Sequence, residues 1–474
     1  MSEQFSSASV PLRVICAALA GLVASAPALT TPPQPNRAAV TAFVDVSVLP
    51  MDTNRVLPHQ NVLVEGNRIG AIGPSIRVPR NATVIDGHGT AYLSPGLADM
   101  HVHSDTIEDM KVFLANGVTS VLNMGHASEA FMGQVRPALN RGELPGPHVY
   151  TGLLVDGSGQ FGNLFVTTPS EARAIVDIAR TNGYDFIKVY NDLSPECFLA
   201  IIEEGKRQHM RVIGHGVTRV GLEKQIAMGQ IMVAHTEEFL YTVFSHPDLS
   251  APNPAILDPT PAHPADIPRV IALLTLDKAF VTADLNTYAT IARQWGKPDV
   301  LEGIMRGPEV RYVSPVRRAK WSSSDYVKRK GSVEANLSFL KRFTKDMADA
   351  GLLLITGTDA PSIPGLIPGY SLHDDLDTLQ AAGLSRYQVL AAATRTPGEF
   401  IHRSIPDADP FGTIAVGNRA DVMLLAANPL DDLATLRKPL GLMANGKWYA
   451  EADLQSLLEH VAREYQDATA EGRH

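Results

Sequence analysis

The chain has only two cysteines in 474 residues, Cys16 and Cys197, and that scarcity excludes a good deal. Two thiols so far apart support neither a disulfide framework nor a thiolate metal site. Any bound metal must therefore be held by imidazole and carboxylate. Basic charge is also short, with 41 Lys and Arg against 50 Asp and Glu for a net charge of −9. No long Lys/Arg run appears, so the clustered basic face that nucleic acid needs as a main partner is missing. One apolar stretch draws notice, Val14 to Leu29, preceded by Arg13 and ending in the small residues Ala24, Ser25, Ala26 and Ala28. It is too short for a comfortable membrane span. Residues 1–30 read instead as a secretory signal, which places the mature chain in the periplasm or outside the cell without stable membrane insertion. Glu3 and Pro27 fit that signal poorly, and the alternative is a plain N-terminal extension on a cytoplasmic protein.

What is present suits a globular protein with a large core. Hydrophobic residues make up 45% of the chain, enough for a sizeable core, and the length accommodates a barrel of about 250 residues plus additions. Residues 38–92 read as short strands with tight turns, as in Asn61–Glu65, Gly66-Asn67 and Ile69–Ile72. The same texture returns over 408–452, so the two flanks are expected to build one small β-sandwich. Between them, over 93–407, short apolar runs alternate with amphipathic stretches, the signature of βα units. Eight strands are expected at 97–102, 118–124, 148–153, 186–190, 211–215, 231–235, 279–284 and 352–358. Eight units favour an α/β fold of the (β/α)8 TIM-like kind over an open sheet. Residues 453–474 are left as a C-terminal helix or tail. Two long connections, 245–268 and 286–335, read as irregular loops: lids, interface segments or plain surface decoration. The second carries Trp295, Trp321 and a basic cluster at Arg317, Arg318 and Lys320. No internal repeat is evident, and a homo-oligomer stays open.

The chemistry concentrates at the expected strand ends, where barrel enzymes place catalytic groups. His101-Val102-His103 ends the first strand; residues i and i+2 of a strand face one side, so both imidazoles can reach one metal. Alone, that triplet is a weak signal. Lys188 stands in Phe186-Ile187-Lys188-Val189-Tyr190, an otherwise apolar or aromatic strand. A lysine there is costly unless paired or modified. One reading is a salt bridge across the barrel. The other is carboxylation by carbon dioxide, which desolvation favours because it requires the neutral amine. His215 and His235 end the fifth and sixth strands. Asp359 follows the eighth, where a lone Asp is usually a turn or cap residue. Tyr190, two residues past Lys188 on the same face, His126 after the second strand and Tyr288 after the seventh are candidates for substrate contact, each with packing as its bland alternative.

These residues in this order resemble the amidohydrolase superfamily, in particular its two-metal members of the imidazolonepropionase-like and prolidase-like group. Pro95-Gly96-Leu97 before the first histidines resembles the family's entry to its first strand. Pro368–His373, Leu390–Thr394 and Gly412–Val422 resemble its later helices and its return to the sandwich, so the likeness spans about residues 40–450. It implies that His101, His103 and Asp359 hold one divalent metal and His215 and His235 the other, with carboxylated Lys188 bridging. Zinc is the first choice of metal. Imidazolonepropionases use one metal and lack the lysine, so Lys188 argues against that activity. Two departures stand out: Ala98 replaces a larger apolar residue, and Glu237-Glu238 follow His235. The implied reaction is hydrolysis of a C–N amide bond in a small peptide, N-acyl amino acid or other amide compound, with Asp359 as proton shuttle and Tyr190 and His126 assisting. The alternatives are a urea, carbamate, lactone or ester at the same centre, or a non-catalytic scaffold, which would be expected to have lost ligands.

Overall fold

A computed structural model describes residues 39–159, 164–246 and 263–470. The signal-peptide reading over 1–30 lies outside the described residues, as does most of the connection 245–268. The chain enters through five strands: β1 (Val40–Val48), β2 (Leu57–Glu65), β3 (Arg68–Gly73), β4 (Thr83–Asp86) and β5 (Tyr92–Pro95). β2 and β3 are joined by the expected tight turn, with Gly66 in left-handed backbone.

Eight parallel strands then follow in sequence order: β6 (Leu97–Val102), β7 (Val118–Asn123), β8 (His148–Val155), β9 (Phe186–Val189), β10 (Arg211–Gly214), β11 (Gln230–Val233), β12 (Phe280–Thr282) and β13 (Leu353–Ile355). Each falls within three residues of its expected window at both ends. The barrel closes where Val102 bridges Ala360, with Asp359 N donating to His101 O (2.7 Å) and His103 N to Ala360 O (2.7 Å). Inside, Met100, Leu122, Phe186, Ile213, Met232, Phe280 and Ile355 form one cluster. Phe400 joins it from the helix Arg395–Ser404, stacking on Phe186 at 5.3 Å between ring centroids. The lower end of the barrel is thus filled with side chains, and polar groups gather at the strands' C-terminal ends.

The chain returns to the first sheet through β14 (Val422–Leu425), β15 (Gly441–Ala444) and β16 (Lys447–Ala450), the last two joined by Asn445-Gly446, both at positive φ as a two-residue hairpin requires. The two layers expected as a sandwich prove to be one hydrogen-bonded sheet in the order β16-β15-β14-β5-β1-β2-β3, with β4 beside β1. β1 carries register shifts after Phe43 and Val46, and its neighbour changes there from β4 to β5. Bulges bend a strand, and the two halves enclose a shared core of Phe43, Val62, Leu93, Val422 and Met443. Buried Arg419 ties this sheet to the barrel through Ser120 and Tyr150, with Asp421 as its counter-charge.

The connection 286–335 departs from expectation. It is not an irregular loop but a series of short helices, Leu285–Gln294, Pro298–Met305 and Pro315–Trp321, with 3-10 turns between them. The latter two start on proline and run only two turns, too short for a readable apolar period. Residues 451–470 form a helix whose buried stripe Leu454, Leu458, Val461 and Tyr465 lies toward the helix Ile107–Ala115. Among the described residues no helix is long and apolar enough to cross a membrane.

Candidate metal centre

Strand alternation decides which way Lys188 points. Ile187 and Val189 belong to the outer layer packed under the helices Pro169–Thr181 and Pro195–Gln208, whereas Phe186 lies in the barrel interior. Lys188 shares the face of Phe186 and is fully buried. The neighbouring strand makes room for it with glycine: a Cβ on Gly214 would stand 2.8 Å from Lys188 Cδ and 2.4 Å from Val189 O. His101 is fully buried, and His215 and His235 nearly so. Ring centroids separate His101 from His235 by 4.2 Å, from His103 by 5.3 Å and from His215 by 6.4 Å.

Two groups of three side chains have ligand atoms mutually within 4.8 Å: His101, His103 and Asp359, and His101, His215 and His235. The first matches the expected set. The second adds His101 to the expected pair, so one imidazole belongs to both. Asp359 Oδ1 stands 3.0 Å from His103 Nε2 and 3.4 Å from His101 Nε2. His103 turns Nδ1 toward Gly125 O (3.2 Å), and His215 turns its own toward Glu238 (3.2 Å), which leaves each Nε2 facing inward. Asp359, His235 and His126 all have left-handed backbone. Asp and His adopt it more readily than most residues, and it turns their side chains sharply as the chain leaves the strand.

Burial and neighbouring charges shift these groups in different directions. Burial pulls the Lys188 amine down to about 8, against the upward pull of Asp359, Glu238 and Asp284. Burial, with the neighbouring cationic groups, drives His101 and His215 well below the usual imidazole range, so both are neutral ligands-in-waiting. Burial also opposes the charge on His235, but Glu237 and Asp284 outweigh it and raise that imidazole to about 9. Asp359 resists burial in the same way: His103, His101 and His235 hold its carboxyl well below the usual carboxylate range. His101 Nε2, Lys188 Nζ, Asp284 Oδ1 and Glu237 Oε2 are buried without a hydrogen-bond partner. Each such atom costs ~1–3 kcal/mol if nothing satisfies it, and a donor set of imidazole and carboxylate fits divalent cations.

Above these groups opens a cavity of about 650 Å³ lined by His103, His126, Tyr190, His215, His235 and Asp359, among others. Tyr190 stacks on His215 at 4.0 Å, and burial raises its hydroxyl well above the usual range, so it is a donor at neutral pH. His126 lies 5.4 Å from His103 at the exposed rim. Tyr288 is placed elsewhere. It sits in the first turns of the helix Leu285–Gln294, buried in the main core with its hydroxyl near Asn336, and it is not among the residues lining the cavity.

Three carboxylates escaped the sequence reading. Asp284 follows β12, is fully buried, and brings Oδ2 to 2.7 Å from His235 Nδ1 and 3.2 Å from His101 Nδ1. Its position at a strand's C-terminal end, the place that exposed His215 and Asp359, is the signal that would have found it. Glu237 and Glu238 drew notice only as a departure from family pattern. They back His235 and His215, and burial lifts each carboxyl to about 7. Deeper still, Asp99 accepts a hydrogen bond from Thr358 Oγ1 (2.7 Å), linking β6 to the Asp359 turn.

The barrel gathers imidazoles, carboxylates and a lysine at its C-terminal end, and comparison with known proteins places the fold. No family model matches the chain. The bottromycin amidohydrolase structure is 22% identical, each chain covering 91% of the other, with a TM-score of 0.69. A prolidase complexed with N-methylphosphonate-L-proline is 18% identical over 87% of this chain and all of that one, with a TM-score of 0.63. The fold implied by the resemblance, that of the amidohydrolase superfamily, is therefore the fold this chain has. A dihydroorotase of Geotalea daltonii (strain DSM 22248 / JCM 15807 / FRC-32) is 25% identical over 194 residues, 38% of this chain and 40% of that protein. The chain thus matches well under half the length of that curated relative.

Proposed function

We propose that the protein is a binuclear metal-dependent hydrolase that cleaves a C–N amide bond in a small peptide or N-acyl amino acid. The observation that carries this reading is Lys188, sealed in the barrel interior beside the imidazoles with its amine unbonded. A lysine kept as an ammonium for stability would have found a carboxylate within bonding distance. An amine whose pKa burial has lowered is instead ready to take up carbon dioxide and become a bridging carboxylate. His101, His103 and Asp359 would hold one cation, His215 and His235 the other, and carboxylated Lys188 both. Such a pair supplies hydroxide near neutral pH and polarises the substrate carbonyl. Zinc suits the donor set best.

The chain's own groups then have distinct tasks. Asp359, ionised by its three histidine neighbours, accepts the proton of the attacking water and passes it to the leaving nitrogen. Tyr190, protonated and positioned by its stack on His215, donates to the oxygen on which negative charge develops. His126 contacts substrate from the rim. The presence of an amidohydrolase and a prolidase among structures of this fold supports the amide bond as the target. Metal analysis of the purified chain, together with hydrolysis of N-acyl amino acids, dipeptides, aryl amides and ureas, tests the reading. About two metals per chain and turnover of the amides are expected. A carefully handled chain with no metal, or turnover confined to esters or lactones, would refute it.

A further inference from the structure

The connection between β12 and β13 holds two cations over the cavity that neither the ligand set nor the proton path uses. The helix Pro315–Trp321 is capped by Ser314, whose hydroxyl accepts from Arg317 N. Its last residue, Trp321, is almost fully buried with Val310, Val313 and Ile367. Trp321 Nε1 donates to the carbonyl oxygen of Pro361 (2.9 Å), two residues beyond Asp359. The helix is thereby fastened to the segment that carries the proposed proton acceptor. Arg317 and Lys320 are three residues apart, so they share a helix face, and both line the cavity, whereas Arg318 between them does not. Among the described residues neither Arg317 nor Lys320 makes a salt bridge; the buried Asp109 influences Arg317 from beyond ion-pair distance. The cavity's other carboxylates are Asp105 at the rim and Asp359, the latter already engaged by histidines.

Two cations at the wall of a cavity of ligand size, neither in a salt bridge among the described residues, suit an anion. Resting on the amide-hydrolysis reading, we infer that Arg317 and Lys320 bind a carboxylate on the leaving-amine side of the substrate, so that N-acyl amino acids are selected over neutral amides. The planar guanidinium matches a carboxylate in a two-point contact, and the lysine adds a flexible second charge. Specificity is thus set by a helix outside the barrel strands.

The test uses the metal-replete full chain and pairs of compounds that differ only in the carboxylate, such as N-acetyl-L-phenylalanine and N-acetylphenethylamine, repeated over several side chains. The acids are expected to have a kcat/KM on the order of 10- to 100-fold higher, the range of charge-assisted hydrogen bonds. In Arg317→Gln/Lys320→Gln that preference should vanish through KM with kcat nearly unchanged, while neutral amides react as before and Arg318→Gln keeps the preference. Equal rates on both members of each pair, or a preference that survives the double variant, overturn this inference and leave amide hydrolysis standing. If no pair is hydrolysed, the amide reading fails. Binding of N-acetyl-L-phenylalanine by calorimetry then decides the carboxylate site alone: binding lost in the double variant supports it, and absent or unchanged binding overturns it.

Discussion

The two sides of the candidate metal centre use the same residue types to opposite effect. On the side of β6 and the turn after β13, two histidines surround one carboxylate, and Asp359 stays ionised despite burial. On the side of β10 and β11, two histidines are backed by Glu237, Glu238 and Asp284, and burial lifts the two glutamates to about 7. A carboxylate outnumbered by imidazoles is an ionised base or ligand. Carboxylates crowded together behind imidazoles hold a shared proton and fix ring orientation. In the proposed reading Lys188, on β9, joins the two sides.

Removing that joint should have the largest effect. Lys188→Ala is expected to lose bound metal and reduce kcat/KM by about 10⁴ or more, with short carboxylic acids restoring part of both; full activity and two metals in this variant would contradict its role. Asp359→Asn should cost about 10²–10⁴ in kcat, the usual contribution of a general acid–base group, while His101, His215 and His235 still retain metal in elemental analysis. Asp284→Asn, which alters only what lies behind His101 and His235, should weaken metal affinity by about 10–100-fold in a chelator titration. An affinity equal to the parent's would show Asp284 to be a bystander.

The smallest effect is on stability and distinguishes the two sides by pH. Burial raises the carboxyl of Glu238 in the folded state to about 7, from the 4.5 of a free glutamate. A raised acid binds its proton more tightly when folded, so its favourable contribution is complete below about 4.5 and is lost as pH rises through about 7. Glu238→Gln removes that dependence and can still accept from Gly216 N. In the metal-free chain, its Tm relative to the parent should therefore rise between pH 5 and pH 8. An unchanged difference across that range would mean that Glu238 is already ionised.

Much of this was readable along the chain. β9 alternates Phe186 and Lys188 inward with Ile187 and Val189 outward, and a charged residue on an inward position stands out without any coordinates. His101 and His103 share a strand face for the same reason. Tyr288 was misleading because helix phase, unlike strand alternation, turned it toward Asn336 instead of the cavity. Asp284 was passed over because an aspartate after a strand is ordinary turn chemistry, and its contacts with His101 and His235 come from β6 and β11, far away in sequence. The short helices of 286–335 gave too few turns for a period to register.

Local pattern was enough for the eight barrel strands and for singling out polar side chains at their C-terminal ends, because a two-residue repeat and a strand terminus are properties of neighbouring residues. It was not enough for His101 serving both ligand groups, for the carboxylates behind His215 and His235, or for the basic helix over the cavity. Those depend on closure of the barrel between β6 and β13 and on Trp321 reaching the carbonyl of Pro361, contacts between segments that only folding brings within bonding distance.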